Sequence, residues 1–507
     1  MSYREAWRRR AVRFGLAILL ALIPALLVAQ EPPAATLTLE QAIDLARRYN
    51  PGFRIQANDE AQADWQVREA YAAFLPSASV SSGLTYQAQG TPRFGVFSGA
   101  DVGIGRTPST YFSDYSLGMQ LQLSGATFFN VAQQRANRAA TEAGIDAAAY
   151  TLTTDVTRQY LTVLRARDGV SIAAAALESA EEAKRLADAR FAVGEATRLD
   201  VAQSEVERGR AEVALVQAEN LFASEKLRLM QLIGQPIERD IELTSTFEVF
   251  EPTFEMADLQ DRALRGHPQL ISAQKAEAAS VAASRAAKMS YLPTVRFSGG
   301  WSGFVRKIGD EEYLIDQARD SRDNARQNCE FWNTLAGGLN NPLPGYPQDC
   351  SGLVLTPAQE QAIRAENNAY PFNYDANPAS FSVDVSLPIF NGFQRERTVQ
   401  TARLAADDAR ERRRAEELTR RTDVATNLMA LRTAYRTVQL EERNVAAAAE
   451  QLELASERYR LGAGSILELT QAQENRVRAD QAHLTAIYGF HESLAALEAA
   501  VGARLRD

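Results

Sequence analysis

Two periodicities divide the chain. Apolar side chains recur at alternating steps of four and three through Val424, Leu428, Leu431, Tyr435 and Val438, and on past Glu442 to Val445, Ala449, Leu452, Ser456 and Tyr459. Such spacing averages about 3.5 residues, the seam of a coiled coil. Matching positions run from Val156, Tyr160 and Val163 to Lys184, Asp188 and Phe191, weakening toward the end. No proline interrupts residues 126–193 or 393–461, so each stretch predicts a helix of roughly 100 Å at about 1.5 Å per residue. Elsewhere the period is two. YSLGMQLQL, residues 115–123, sets Tyr115, Leu117, Met119, Leu121 and Leu123 against Ser116, Gly118, Gln120 and Gln122, and FSVDVSLPI, 381–389, does likewise. Weaker alternation follows Pro76 and Pro293. Four strands of about ten residues are expected, apolar on one side, as in an outer-membrane barrel or a soluble sandwich.

These elements occur in the same order twice. Residues 37–86 align with 254–303 at an offset of 217, matching Asn50-Pro51 to His267-Pro268 and Phe74-Leu75-Pro76 to Tyr291-Leu292-Pro293. From Tyr115 the offset is 266, so the second copy holds 49 extra residues, nearly all within 304–380. The expected organisation is an export segment 1–29, a first repeat 30–253 and a second repeat 254–507 with an enlarged external loop at 304–380.

Each long helix ends in nearly the same phrase, RFAVGEATRLDVAQSE at 190–205 and RYRLGAGSILELTQAQ at 458–473. Gly194 and Gly462 stop a helix and reverse the chain into an antiparallel return helix, so the phrase is a hairpin tip. Asp200 and Glu468 follow six residues later in both copies. A carboxylate in a first turn is favoured by the helix dipole, which accounts for these acids as well as a functional role does. Symmetry adds to the second account. Four strands cannot close in lipid, where open sheet edges are not tolerated. Copies must therefore assemble about an axis, and each tip acid becomes part of a ring of the kind that selects cations.

Composition narrows the remaining choices. A net charge of -9 excludes a general nucleic-acid binder. Five arginines at 4–13, an apolar run at 14–29 and a Pro-rich stretch form a secretory signal layout with cleavage after Ala29. The two cysteines, Cys329 and Cys350, both lie in the enlarged loop, and in an oxidising compartment they are expected to pair. Of three histidines, His267 stands where the first copy has Asn50, as a turn or cap residue, and His483 and His491 lie on an amphipathic helix. Catalytic motifs for zinc, serine-nucleophile or phosphate chemistry do not occur. No catalytic residue, metal site or cofactor is expected.

From about Leu37 to Gly502 the sequence resembles the TolC family of outer-membrane efflux and secretion ducts. The resemblance is carried by LTLEQAIDLARRYNP, both Leu-Pro lead-ins, SVDVSLPIFNGFQR, the two RxxxGxxxxxD/E tips and LAALEAAVG. It implies a mixed membrane protein with an internal duplication. Four transmembrane strands per chain would join a trimeric 12-stranded barrel in outer-membrane lipid, above a long α-helical coiled-coil periplasmic tunnel. It also implies a homotrimer docking to a periplasmic adaptor (membrane fusion) protein and an inner-membrane pump. On this resemblance Gly194, Arg198, Asp200, Gln203, Tyr459, Gly462, Gly464, Glu468 and Gln471 form the periplasmic gate. The chain departs from the pattern at Gly464 and Gln471, where members with the best-defined lock place a basic residue and a second acid. Arg198, Arg458 and Arg460 are the candidates for other links. The rival reading is a periplasmic coiled-coil adaptor or scaffold with a soluble strand domain.

Overall fold

The computed structural model describes residues 35–98, 105–236, 241–341 and 343–506; the expected export segment lies outside them. The first repeat forms β1 (Ala35–Leu37), α1 (Leu39–Tyr49), α2 (Pro51–Ala72), β2 (Ser77–Gln87), β3 (Arg93–Phe94), β4 (Phe97–Ser98), β5 (Thr110–Leu123), α3 (Gly125–Ala192), α4 (Arg198–Ile233) and β6 (Ile241–Leu243). Residues 244–255 lead into the second, with α5 (Met256–Gly266), α6 (Pro268–Lys288), β7 (Thr294–Ile308), α7 (Glu311–Gly337) and α8 (Pro357–Asn367). It continues through β8 (Asp375–Ala376), β9 (Ser380–Ser386), α9 (Gln394–Arg460) and α10 (Ile466–Val501). Helices α3 and α9 run unbroken for 68 and 67 residues. No helix among the described residues is long and apolar enough to cross a membrane.

Two compact units cut across the repeats, one holding the described parts of 1–59, 143–272 and 414–507, the other 60–142 and 273–413. The second unit is built on an antiparallel sheet ordered β2-β5-β7-β9, with β8 also on β7. Residues paired across antiparallel strands share a face, so the register sorts the side chains. Val80, Leu84, Leu117, Met119, Phe297, Trp301, Val383 and Val385 fall on one face, and all eight are exposed. Ser79, Ser81, Ser116, Gln120, Gln122, Arg296, Ser298, Ser382 and Asp384 fall on the other. There the Ser81 and Ser116 hydroxyls meet at 2.8 Å, those of Ser298 and Ser382 at 2.6 Å, and Arg296 donates to Gln122 at 3.1 Å. Exposed apolar residues with polar partners behind them fit a sheet whose solvent is lipid on one side only.

Strand lengths differ from the even expectation, at 11, 14, 15 and 7 residues. The shortest, β9, ends at Ser386 because Pro388 has no N–H for a ladder. The stretch 304–380 is also not the plain loop expected. β7 continues to Ile308, and α7 and α8 then pack together through Arg364 on Glu311 and Glu312 (3.2 and 2.9 Å) and Arg319 on Glu360 (2.8 Å). Asn367 closes the insert on β7, accepting from the Ile308 N–H at 2.7 Å and donating to its carbonyl at 2.9 Å. Its glycines and prolines cluster after α7, and Cys350 in that stretch is disulfide-bonded to Cys329 of α7.

In the first unit, Val156, Tyr160 and Val163 of α3 are buried with α1 and α4, and Val424, Leu428 and Leu431 of α9 with α5 and α10. The Tyr160 hydroxyl donates to Leu37 O at 2.8 Å and accepts from Ser245 N–H at 3.2 Å, tying down the parallel pair β1 and β6, which the sequence reading missed. Farther along, the expected seam is corrected by one position. Ala173, Ala180 and Ala187 are buried where Ala174, Glu181 and Asp188 were expected, and Ala448 and Ala455 replace Ala449 and Ser456. The buried positions Ala166, Ala173, Ala180 and Ala187 still recur every seven residues, so the heptad itself holds and the expected phase was one residue late.

The repeats share one further joint. Asn50 donates to Leu232 O at 2.8 Å and accepts from the Phe53 N–H at 2.9 Å. His267 does the same with imidazole, Nε2 donating to Ala499 O at 2.9 Å and Nδ1 accepting from the Gln269 N–H at 3.2 Å. Left-handed Gly234 and Gly502 end α4 and α10 against these residues, and a Cβ on Gly502 would lie 2.9 Å from His267 Cα. Burial lowers the His267 pKa, aided by Arg420 and opposed by the Ala499 carbonyl, Glu416 and Asp423. Burial, with Arg506, pushes His491 down to about 4.

Both rings are therefore held neutral in the fold. A histidine with a depressed folded pKa contributes stability above its unfolded pKa of about 6.5, and that contribution is lost as pH falls below it. Between about pH 6.5 and 4 the loss should reach about 1.4 kcal/mol per pH unit for His491. Thermal melts at about pH 7.5 and pH 5 check this: acid should lower the wild-type midpoint, and His267→Asn, the residue used by the first repeat, should remove part of the loss.

Candidate functional site

Both hairpin tips are made by the same local rules. Gly194 and Gly462 carry φ of 80° and 78°, the left-handed region that favours glycine at a helix end. The Glu195 N–H reaches back to Arg190 O at 2.8 Å, and the Ala463 N–H to Arg458 O at 2.8 Å. Thr197 and Ser465 then cap the return helices, accepting from Asp200 N–H and Glu468 N–H at 3.2 Å each. Gly464 has its own reason to be glycine. A Cβ there would lie 3.1 Å from Arg458 Cβ and 3.2 Å from Tyr459 N, so the place of the family's basic residue is crowded by the preceding turn.

The two acids part company at their carboxylates. Asp200 turns back and accepts from the Thr197 N–H at 2.7 Å and its hydroxyl at 2.9 Å, completing a capping box. Glu468 instead pairs with Arg458 at 2.9 Å. Of the three arginines that were candidates for other links, Arg458 thus supplies one, to Glu468, while Asp200 is held by its own turn. Arg198 is exposed, Gln203 is half-buried, and Gln471 is exposed and donates to Asn475 at 3.3 Å.

At the tips the two hairpins are joined by Arg190, the first residue of the repeated phrase. It donates to Tyr459 O at 2.5 Å and to Glu195 O at 3.2 Å, and its guanidinium lies 4.7 Å from the centre of the Tyr459 ring. Tyr459 is buried among Ala183, Ile466 and Leu469. Burial pushes its phenol up against the opposing pull of Arg190, and its hydroxyl has no hydrogen-bond partner among the described residues. Arg458 is the repeat counterpart of Arg190, and it spans its own turn in the same way, donating to Ala463 O at 3.4 Å. The signal for Arg190 was present, since an arginine four residues before each glycine implies a shared task.

A sheet with one lipid-type face, joined to paired helical hairpins with matched glycine tips, defines a membrane channel of the efflux type. The chain belongs to the outer membrane efflux protein family, whose profile matches residues 42–235 and 356–503. It is similar to nodulation protein T of Rhizobium leguminosarum bv. trifolii, 23% identical over 482 residues, covering 93% of this chain and 85% of that protein. Over 163 residues it is 31% identical to the pyoverdine export outer membrane protein OpmQ of Pseudomonas aeruginosa, covering 32% of this chain and 34% of OpmQ. Its fold is similar to that of the Campylobacter jejuni CmeC outer membrane channel, with a TM-score of 0.66 at 17% identity over 92% of this chain and 87% of that one. The protein is an outer-membrane efflux channel, and its family is one of ducts, not enzymes. The soluble adaptor reading is set aside.

Arg190→Lys tests the joint between hairpins, since lysine keeps the charge but cannot bridge two carbonyls and lie flat on a ring. Amide exchange near 190–195 and 459–463 should quicken on the order of tenfold, about 1.4 kcal/mol, the scale of a desolvated cation–π contact and its hydrogen bonds. Unchanged exchange would show that the tips hold without it.

Proposed function

We propose that three copies of this chain form one passive exit duct in the outer membrane of a Gram-negative bacterium. Their sheets supply four strands each to a 12-stranded barrel in outer-membrane lipid, and their hairpins form a periplasmic tunnel. The tips meet a periplasmic adaptor (membrane fusion) protein and the inner-membrane pump of a tripartite efflux or type I secretion system. One observation carries this reading: β2 and β9 are each paired on one side only, in a sheet that exposes Val80, Leu84, Leu117, Met119, Phe297, Trp301, Val383 and Val385 on one face. An unpaired edge in hydrocarbon leaves several backbone groups without partners, each costing several kcal/mol. Other copies of the same sheet satisfy them. The test is the mass of the purified protein in mild detergent, for which a trimer is expected and a stable monomer would overturn the proposal.

In such a trimer the tips gather Asp200 and Glu468 around the periplasmic mouth. The Arg458 to Glu468 pair is exposed on both sides, and exposed pairs of this kind contribute roughly 0–1 kcal/mol and weaken with salt. Arg458 therefore offsets the field of Glu468 without fixing it, while Asp200 is held within its capping box. The double variant Asp200→Asn with Glu468→Gln should lower cation selectivity in planar bilayers and leave the trimer intact. Arg458→Gln should raise selectivity. Reversal potentials unmoved by both would reduce the acids to helix caps.

A further inference from the structure

The repeats build one joint twice, and only one of the two is complete within a single chain. After β5, Ser124 caps the first turn of α3, accepting from the Thr127 N–H at 3.2 Å. Gly125 follows, and a Cβ there would lie 2.6 Å from Leu292 Cδ1 and 2.7 Å from Met289 O. Leu292, from the Leu-Pro lead-in to β7, is thus seated directly on Gly125.

The second joint uses counterparts one by one. After β9, Asn391 takes the place of Ser124 and accepts from the Arg395 N–H at 3.5 Å. Gly392 takes the place of Gly125. The same correspondence matches the Phe74–Phe128 ring pair (5.3 Å) to Arg395 over Tyr291 (5.0 Å), which fixes the alignment at this point. The counterpart of Leu292 is Leu75. Within one chain these two do not meet: a Cβ on Gly392 would touch nothing within 4 Å, and Leu75 is 68% exposed.

The surroundings of Gly392 are shaped for an apolar guest. Phe390 and Phe393 are 72% and 68% exposed and lie edge to face with ring centres 5.4 Å apart. Phe393 is held at φ 63°, a left-handed backbone that a bulky residue rarely adopts and that marks a functional constraint more often than chance. The first repeat has nothing like it, since Ala126 stands at the matching position inside α3.

We propose that the partner subunit's Leu75 seats on Gly392 between Phe390 and Phe393, repeating between chains the joint that Leu292 makes with Gly125 inside one. The proposal rests on the trimer reading above and deepens it. The patch continues from the unpaired edge of β9 at one end of the sheet, and Leu75 lies two residues before β2, the unpaired edge at the other. Edge pairing between copies would bring the two together in register. The joint between chains is bulkier than the one within a chain, with two phenyl rings where the first repeat has Leu123 and Ala126, so the weaker covalent situation receives the larger apolar contact.

The test uses variants whose local and intermolecular effects have opposite signs. Phe393→Gly relieves the left-handed backbone and should not weaken the isolated chain, yet it removes a ring from the joint. Together with Leu75→Ser it should raise the dissociated fraction in mild detergent roughly tenfold or more, the scale of a lost interfacial anchor. Leu75→Cys combined with Phe393→Cys should give a reducible ladder of linked chains on oxidation, absent from either single variant; Cys329 and Cys350 are occupied with each other. A stable wild-type trimer that yields no ladder and is undisturbed by Phe393→Gly and Leu75→Ser would overturn this contact alone and leave lipid as the covering of the rings. A wild-type protein that never oligomerises would overturn the trimer reading and the contact with it.

Discussion

A backbone N–H or C=O facing hydrocarbon has no water to turn to, and this constraint governs the rest of the structure. It forces every lipid-facing segment into a ladder and makes the ends of a short sheet unacceptable in isolation. The four long strands of this chain satisfy each other in the order β2-β5-β7-β9 and leave two edges. The helices answer a different constraint. None of the described helices is long and apolar enough to cross a membrane, and their stability comes from alanine-rich seams and from two apolar clusters around Tyr160 and Leu428. Losing a side chain such as Leu428 from such a cluster would cost about 2–5 kcal/mol, more than any single exposed ion pair along the helices contributes.

Duplication preserved the geometry and let the chemistry drift. The Arg190 and Arg458 side chains start from equivalent positions and each spans its own turn, but one crosses to the neighbouring hairpin and the other folds onto Glu468. The difference propagates: with Arg190 drawn to Tyr459, Asp200 closes its capping box, whereas Glu468 is diverted from doing so. Asn50 and His267 show the same drift at the far end of the hairpins, where an amide and an imidazole perform one hydrogen-bonding task. Only the imidazole can be changed by a proton in the mild acid range.

Much of this was legible because long repeated features leave long repeated signals. The period-two stretches around Leu117 and Val383 gave the strand faces correctly, and Gly194 and Gly462 marked both tips. What escaped was short or three-dimensional. β1 and β6 are three residues each, too brief for any period, and they exist because the Tyr160 hydroxyl sits between them. The helices of the 304–380 insert were hidden by the glycines and prolines that follow α7. The seam lies one residue earlier than expected at Ala173 and Ala448 because alanine runs such as 173–176 and 446–449 offer several equally small residues, and period alone does not choose among them. Arg190 was in view as a letter, but its partner lies 269 residues away, and no local spacing could name it.

The short link at 244–255, which ties one repeat to the next, sets how the proposed ring comes together. Six separate hairpin units would need five successive encounters to close, each losing translational freedom. Fused in pairs they need two, because the second repeat is always held beside the first at a high effective concentration. Dilution therefore acts on only half of the joints around the circle. Sequence change is correspondingly freer at the tethered joints, and the demand for strong apolar contacts falls on the three that no covalent bond maintains.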